Sequence, residues 1–172
     1  MIEEPEDLVV RYLLAFAYNA TQQFESAVWV LSSTGLPDSV INGARLGTDL
    51  EGFMTLINAL YGAGELELSN ELSEFWMVNH GPEDAVNVDW WVDTYTACAL
   101  AVLGRDAEAL QKLQRSTHSP RQAWESILRD STCFQRFKDE AVYQATLLHF
   151  EARRRELRTR LPSTLAEYGV TL

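Results

Sequence analysis

The stretch DWWVDTYTACALAVLGRDAEAL, Asp89 to Leu110, decides how this chain is read. It sets Ala97 before a Gly-Arg-Asp turn and Ala109 after it. Two packed helices approach to about 8–10 Å, and the closest approach needs small facing residues. With Gly104 taken as the turn, Ala97 stands seven residues before it and Ala109 five after. Leu100, Leu113 and Ser116 stand four before, nine after and twelve after. Gln22, taken as the same point of an earlier hairpin, brings up Ala15, Tyr18, Ala27, Leu31 and Thr34 at those five positions. Small residues coincide at the contact points and large ones at the flanks. A lone hairpin cannot bury its apolar face, so hairpins with this pattern stack.

Outward from that stretch, apolar positions recur at helical spacing and Gly or Pro marks the breaks. The pattern predicts hairpins over 5–33, 49–78 and 86–115, then a helical cap over 120–170, all in one domain. Pro5 suits a first helical turn, and Asp49 is a good N-cap residue. Residues 38–48 carry a weak signal for one helical turn. Near the end, a long helix over 139–160 and a short one over 163–168 are expected to be separated by Pro162, which removes a helical donor. No stretch reads as a convincing strand. The two good copies lie 82 residues apart, whereas two ordinary tetratricopeptide repeats need about 68. The middle hairpin therefore reads as expanded or irregular, with no register giving both small residues.

The fold class expected is all-α: antiparallel hairpins stacked as a short, right-handed superhelix with a long C-terminal helix. The pattern is the one tetratricopeptide repeats use. The segment ILRDSTCFQRFKDEAVYQATLLHFEARRRELRTRLPSTLAEYGV, Ile127 to Val170, resembles the closing part of many bacterial tetratricopeptide proteins. Among these are transcriptional regulators that carry a winged-helix domain and a membrane anchor. The resemblance rests on Leu128, Arg129, Phe134 and Phe137, followed by the arginine-rich run from Glu151 to Arg160. It departs from the pattern where Ser131 and Thr132 replace an acidic-proline dipeptide. It implies a scaffold or sensor region and transfers no catalytic residue.

Charge narrows the partners. The chain is 172 residues long with a formal net charge of -11. Residues 1–104 hold two basic residues against sixteen carboxylates, and residues 105–172 hold twelve against nine. An acidic body repels nucleic-acid phosphates and anionic membranes. The partner classes expected are a protein or basic peptide, or a second copy in a homodimer, with no nucleic acid and no direct membrane insertion. MIEEPEDL lacks the basic start of a signal peptide, so a cytoplasmic location is expected; a periplasmic one follows if the chain belongs to a longer, membrane-anchored regulator. Cys98 and Cys133 read as free buried thiols by default, with a disulfide left open. His80, His118 and His149 lie far apart, and no metal-ligand spacing or cofactor motif is present. Gly62 and Gly64 lack the context of a phosphate loop.

The candidate partner-binding residues are Trp90, Trp91, Asp89, Asp93, Glu67, Glu71 and Glu74. Adjacent helical residues point about 100° apart, so one of the two tryptophans can face a groove. Asp89 and Asp93, four apart, flank Trp90 and offer a clasp for a cation. Glu67, Glu71 and Glu74 share a helix face suited to a basic peptide. Asn19-Ala20-Thr21 is formally a glycosylation acceptor but lies within a helix. The arginines at 153, 154, 155, 158 and 160 are expected to dock on the acidic body. The function expected is non-enzymatic: a bacterial interaction module with a groove lined by the first helix of each hairpin. The alternative is a small-ligand sensor whose Trp-rich pocket lies between the middle hairpin and the C-terminal helix.

Overall fold

A computed structural model describes residues 8–35, 48–80, 90–118 and 125–169. Helices α1 (Leu8–Ala20) and α2 (Phe24–Ser32) form the first hairpin, α3 (Thr48–Ala63) and α4 (Leu66–His80) the second, and α5 (Trp90–Val102) and α6 (Asp106–Ser116) the third. A cap follows: α7 (Glu125–Asp130), a 3-10 helix (Thr132–Phe137) and α8 (Ala141–Glu167). Among the described residues there is no strand. The fold is all-α. The weak turn expected in 38–48 lies, save for Thr48, outside the described residues. Thr48 opens α3, so Asp49 belongs to its first turn rather than preceding it.

The three hairpins share one turn. Gln22, Gly64 and Gly104 all take a left-handed conformation, with φ of 58°, 83° and 74°. After each, the next backbone N–H reaches back across the turn: Gln23 to the Tyr18 carbonyl at 2.8 Å, Glu65 to Leu60 at 2.9 Å, and Arg105 to Leu100 at 2.8 Å. This six-residue bond closes the exposed carbonyls of a helix end. The second helix starts two residues past the turn in every case. The middle hairpin thus has a register after all, set by Gly64. Its positions equivalent to Ala97 and Ala109 are Ile57 and Ser69.

Those equivalent positions form the seams. Ala15, Ala27, Ile57, Ser69, Ala97 and Ala109 are all 0 % exposed. A second rung pairs residues eleven before and eleven after each turn. Arg11 donates to the Ser33 hydroxyl at 2.7 Å. Phe53 meets the edge of Phe75 at 6.0 Å. Arg115 clasps Asp93 with two hydrogen bonds, one of 2.8 Å. The rung is geometrically conserved while its chemistry changes from polar to aromatic to ionic.

Stacking joins the hairpins. α2 packs on α3 and α4 on α5, while the first helices α1, α3 and α5 touch in sequence. Gly62 allows the close approach of α2, because a Cβ there would lie 2.6 Å from the Phe24 ring. Asn19 Nδ2 donates to the Thr55 carbonyl at 2.9 Å, tying α1 to α3. Trp76 Nε1 donates to Thr96 Oγ1 at 3.1 Å, tying α4 to α5.

Two expectations need correction. Cys98 and Cys133 are joined in a disulfide with Cα atoms 5.6 Å apart; α5 and the 3-10 helix bring together two thiols that are 35 residues apart in sequence. Pro162 does not end the last helix, which runs unbroken from Ala141 to Glu167. Pro162 sits near its exposed end, where the helical bond it cannot donate is the one to the Arg158 carbonyl; next to it, Ser163 Oγ donates to the Arg160 carbonyl at 2.8 Å. Within the arginine run, Arg153 and Arg160 both reach Glu156 of their own helix. The basic cap also meets the body through Arg136, which binds Asp106 and the Ala101 carbonyl.

A candidate ligand pocket among the first helices

Because the first helices lie side by side, residues at the same distance from their turns form rows across the molecule. Positions ten, nine and six before the turn are Tyr12, Leu13 and Phe16 on α1. They are Met54, Thr55 and Asn58 on α3, and Thr94, Tyr95 and Cys98 on α5. All nine line one cavity of about 210 Å³. α1 adds Asn19 and Ala20, and α3 adds Glu51. The wall opposite comes from the cap: Ile127, Asp130, Ser131 and Phe134. The second helices α2, α4 and α6 contribute nothing to the lining. Neither does α8, nor do the two described tryptophans, Trp29 and Trp76.

The cap wall is firmly fixed. Cys133 is bonded to Cys98, and its backbone N–H donates to Asn58 Oδ1 at 3.2 Å. Cys98 and Asn58 occupy the same position in their hairpins, so one row of residues holds the cap across two hairpins. Phe134 is fully buried beside them. Toward the first hairpin the same row ends in Phe16, which lines the cavity.

The lining is mostly apolar, with a few polar groups at chosen points. Glu51 stands exposed at the rim, yet the protein around its carboxyl raises its pKa above the ordinary value by desolvation. Tyr95 is buried, and its hydroxyl pKa rises for that reason first and because of the Glu51 charge second. Asn19 is 5 % exposed. Its amide nitrogen is used on Thr55, while its Oδ1 is buried with no hydrogen-bond partner. Leaving such an acceptor unpaired costs about 1–3 kcal/mol.

The residues singled out from sequence are scattered by the fold. Asp89 lies outside the described residues. Trp90 and Trp91 open α5, with their side chains outside the described set. Asp93 is 1 % exposed and committed to Arg115. The clasp drawn from Asp89, Trp90 and Asp93 therefore loses Asp93 to the interior, because eleven residues before the turn faces the second helix. Glu67, Glu71 and Glu74 are exposed on α4, away from the cavity. The pocket residues themselves were missed, although the turn register that ranks them is in the sequence. In the sequence Asn19 stands out only as a formal glycosylation acceptor.

No protein-family model matches the chain, and no match is found among curated proteins or solved structures. No helix among the described residues is long and apolar enough to cross a membrane.

Proposed function

We propose that the chain is a TPR-like, non-enzymatic binding module that holds a small ligand on the concave face of its stacked hairpins. One observation carries this reading: equivalent positions of three first helices converge on a single cavity closed by the cap. The cavity lies below the roughly 300–1,000 Å³ of sites for drug-sized ligands, so a metabolite-sized molecule suits it. Mixed apolar walls and a few placed polar groups are the usual make-up of such a site. The Cys98–Cys133 bond favours an oxidising compartment, and hence the periplasmic alternative over the cytoplasm.

Thermal-shift screening of the chain against metabolites tests the reading, because a ligand that binds only the folded state raises its melting temperature. Substitution Leu13→Trp supplies the control: Leu13 is 61 % exposed at the cavity, so added bulk there blocks entry without disturbing the core. Shifts abolished by that change support the pocket; shifts that survive it place binding elsewhere.

A second reading, docking of a basic peptide, draws support from the exposed carboxylates Glu67, Glu71 and Glu74 on α4. Its test is a pull-down with and without Glu71→Ala. Retention of the same partners by that variant removes the surface from consideration.

A further inference from the structure

Resting on the ligand-binding reading just given, we infer that the concave pocket takes a small amphiphilic amine: an ammonium carrying N–H donors on an aromatic or alkyl body. The sixteen described residues that line it include two carboxylates, Glu51 and Asp130, and among these described residues there is no lysine, arginine or histidine. The charge they bring to the pocket is negative. It sits in a chain whose first 104 residues carry a formal charge of -14, which attracts cations before contact.

The second, independent observation is Asn19. Its Oδ1 is a buried acceptor without a donor, and its orientation is fixed because flipping the amide would break the bond to Thr55. A ligand N–H would fill the vacancy, whereas a carboxylate or a bare carbonyl would face it with like polarity. A quaternary ammonium satisfies the carboxylates but offers Asn19 nothing. The aromatic walls, Tyr12, Phe16, Tyr95 and Phe134, suit both halves of such a molecule. Ring faces attract a cation, and ring stacks accept an apolar body.

Calorimetric titration of the full chain, disulfide intact, tests this with four probes of one shape: phenethylamine, phenethyl alcohol, 3-phenylpropionate and N,N,N-trimethylphenethylammonium. The amine is expected to bind at least about tenfold more tightly than the alcohol, since a hydrogen bond from a charged donor is stronger than one from a neutral donor. Glu51→Gln is expected to weaken the amine about tenfold and leave the alcohol unchanged. Leu13→Arg, at an exposed rim position, places a cation at the mouth and should abolish amine binding while the melting temperature stays constant. Equal binding of alcohol or propionate overturns the amine assignment and leaves the pocket standing. Equal binding of the trimethyl probe overturns the N–H requirement assigned to Asn19. Binding of a blocked lysine peptide but not of phenethylamine overturns the proposal in favour of a protein partner. If no probe binds and the metabolite screen is also blank, the pocket reading falls with it.

Discussion

The outer hairpins and the middle hairpin share a turn but not a seam. In the first and third, alanine faces alanine: Ala15 with Ala27, and Ala97 with Ala109. In the middle one Ile57 takes the first position and Ser69 the second, both fully buried. Nine residues past the turn the sizes reverse. The outer hairpins carry Leu31 and Leu113 there, the middle one Ser73. Volume added at one position is withdrawn at another, so the same backbone is kept while the side-chain code changes. The lesson is that register lives in the turn, with its left-handed residue and its six-residue bond, and that seam residues are free to trade volume.

Exchanging residues between equivalent positions tests that trade, and the largest effect is expected from emptying the middle seam. Ile57→Ala leaves a cavity that neighbouring Ser69 and Ser73 cannot fill. It should cost about 2–5 kcal/mol in urea unfolding. The reciprocal change, Ala97→Ile, forces extra methylenes between α5 and α6. It should cost about 1–3 kcal/mol by overpacking. If Ala97→Ile is neutral, the outer seam has room to spare and the two kinds of hairpin do not differ as described.

How much of this was legible beforehand follows the same division. In the outer hairpins the alanines advertise the seam, and all four are buried as expected. The middle hairpin was called irregular because small residues were sought where Ile57 and Ser69 now share the space. Gly64, the true marker, stands out in the sequence only beside Gly62, as a pair without the context of a phosphate loop. The pocket stayed hidden for a related reason. Its residues range from Tyr12 to Cys98 and have no common chemistry; they share only a distance from three turns. Conspicuous residues drew attention instead, and Asp93 proved to be half of an ion pair that holds its own hairpin. The disulfide was left open because pairing depends on the 3-10 helix returning to α5, a contact between distant segments with no local signature.

If the turn sets the register, its left-handed residue should matter by itself. Gln22 is the one described non-glycine residue with positive φ, and a side chain there meets a cost of roughly 1–2 kcal/mol. Gln22→Gly should raise stability by about 1 kcal/mol, less the greater freedom glycine has when unfolded. The opposite exchange, Gly104→Gln, should lower it by a similar amount, with open space around the new Cβ leaving backbone strain as the cause. Chemical denaturation of both variants checks the pair. Equal and opposite shifts make the two turns interchangeable, and a loss from Gln22→Gly would show that the Gln22 side chain contributes something its exposed position hides.

The smallest effect probes what the volume trade left behind. Ser73 replaces the leucine of the outer hairpins, is 0 % exposed, and its Oγ has no hydrogen-bond partner. A hydroxyl buried in this way forfeits its bonds to water without recovering them, and alanine is also the better helix former. Ser73→Ala should therefore stabilise by about 0.5 kcal/mol, part of the gain being offset by the lost contacts of one oxygen atom. Thermal unfolding of that variant beside Ser69→Ala separates burial from bonding. Ser69 is equally buried, but its Oγ donates to the Leu66 carbonyl at 3.1 Å, so its removal should not stabilise to the same degree. A gain confined to Ser73 means that the middle hairpin has kept the shared turn at the expense of one unpaired hydroxyl.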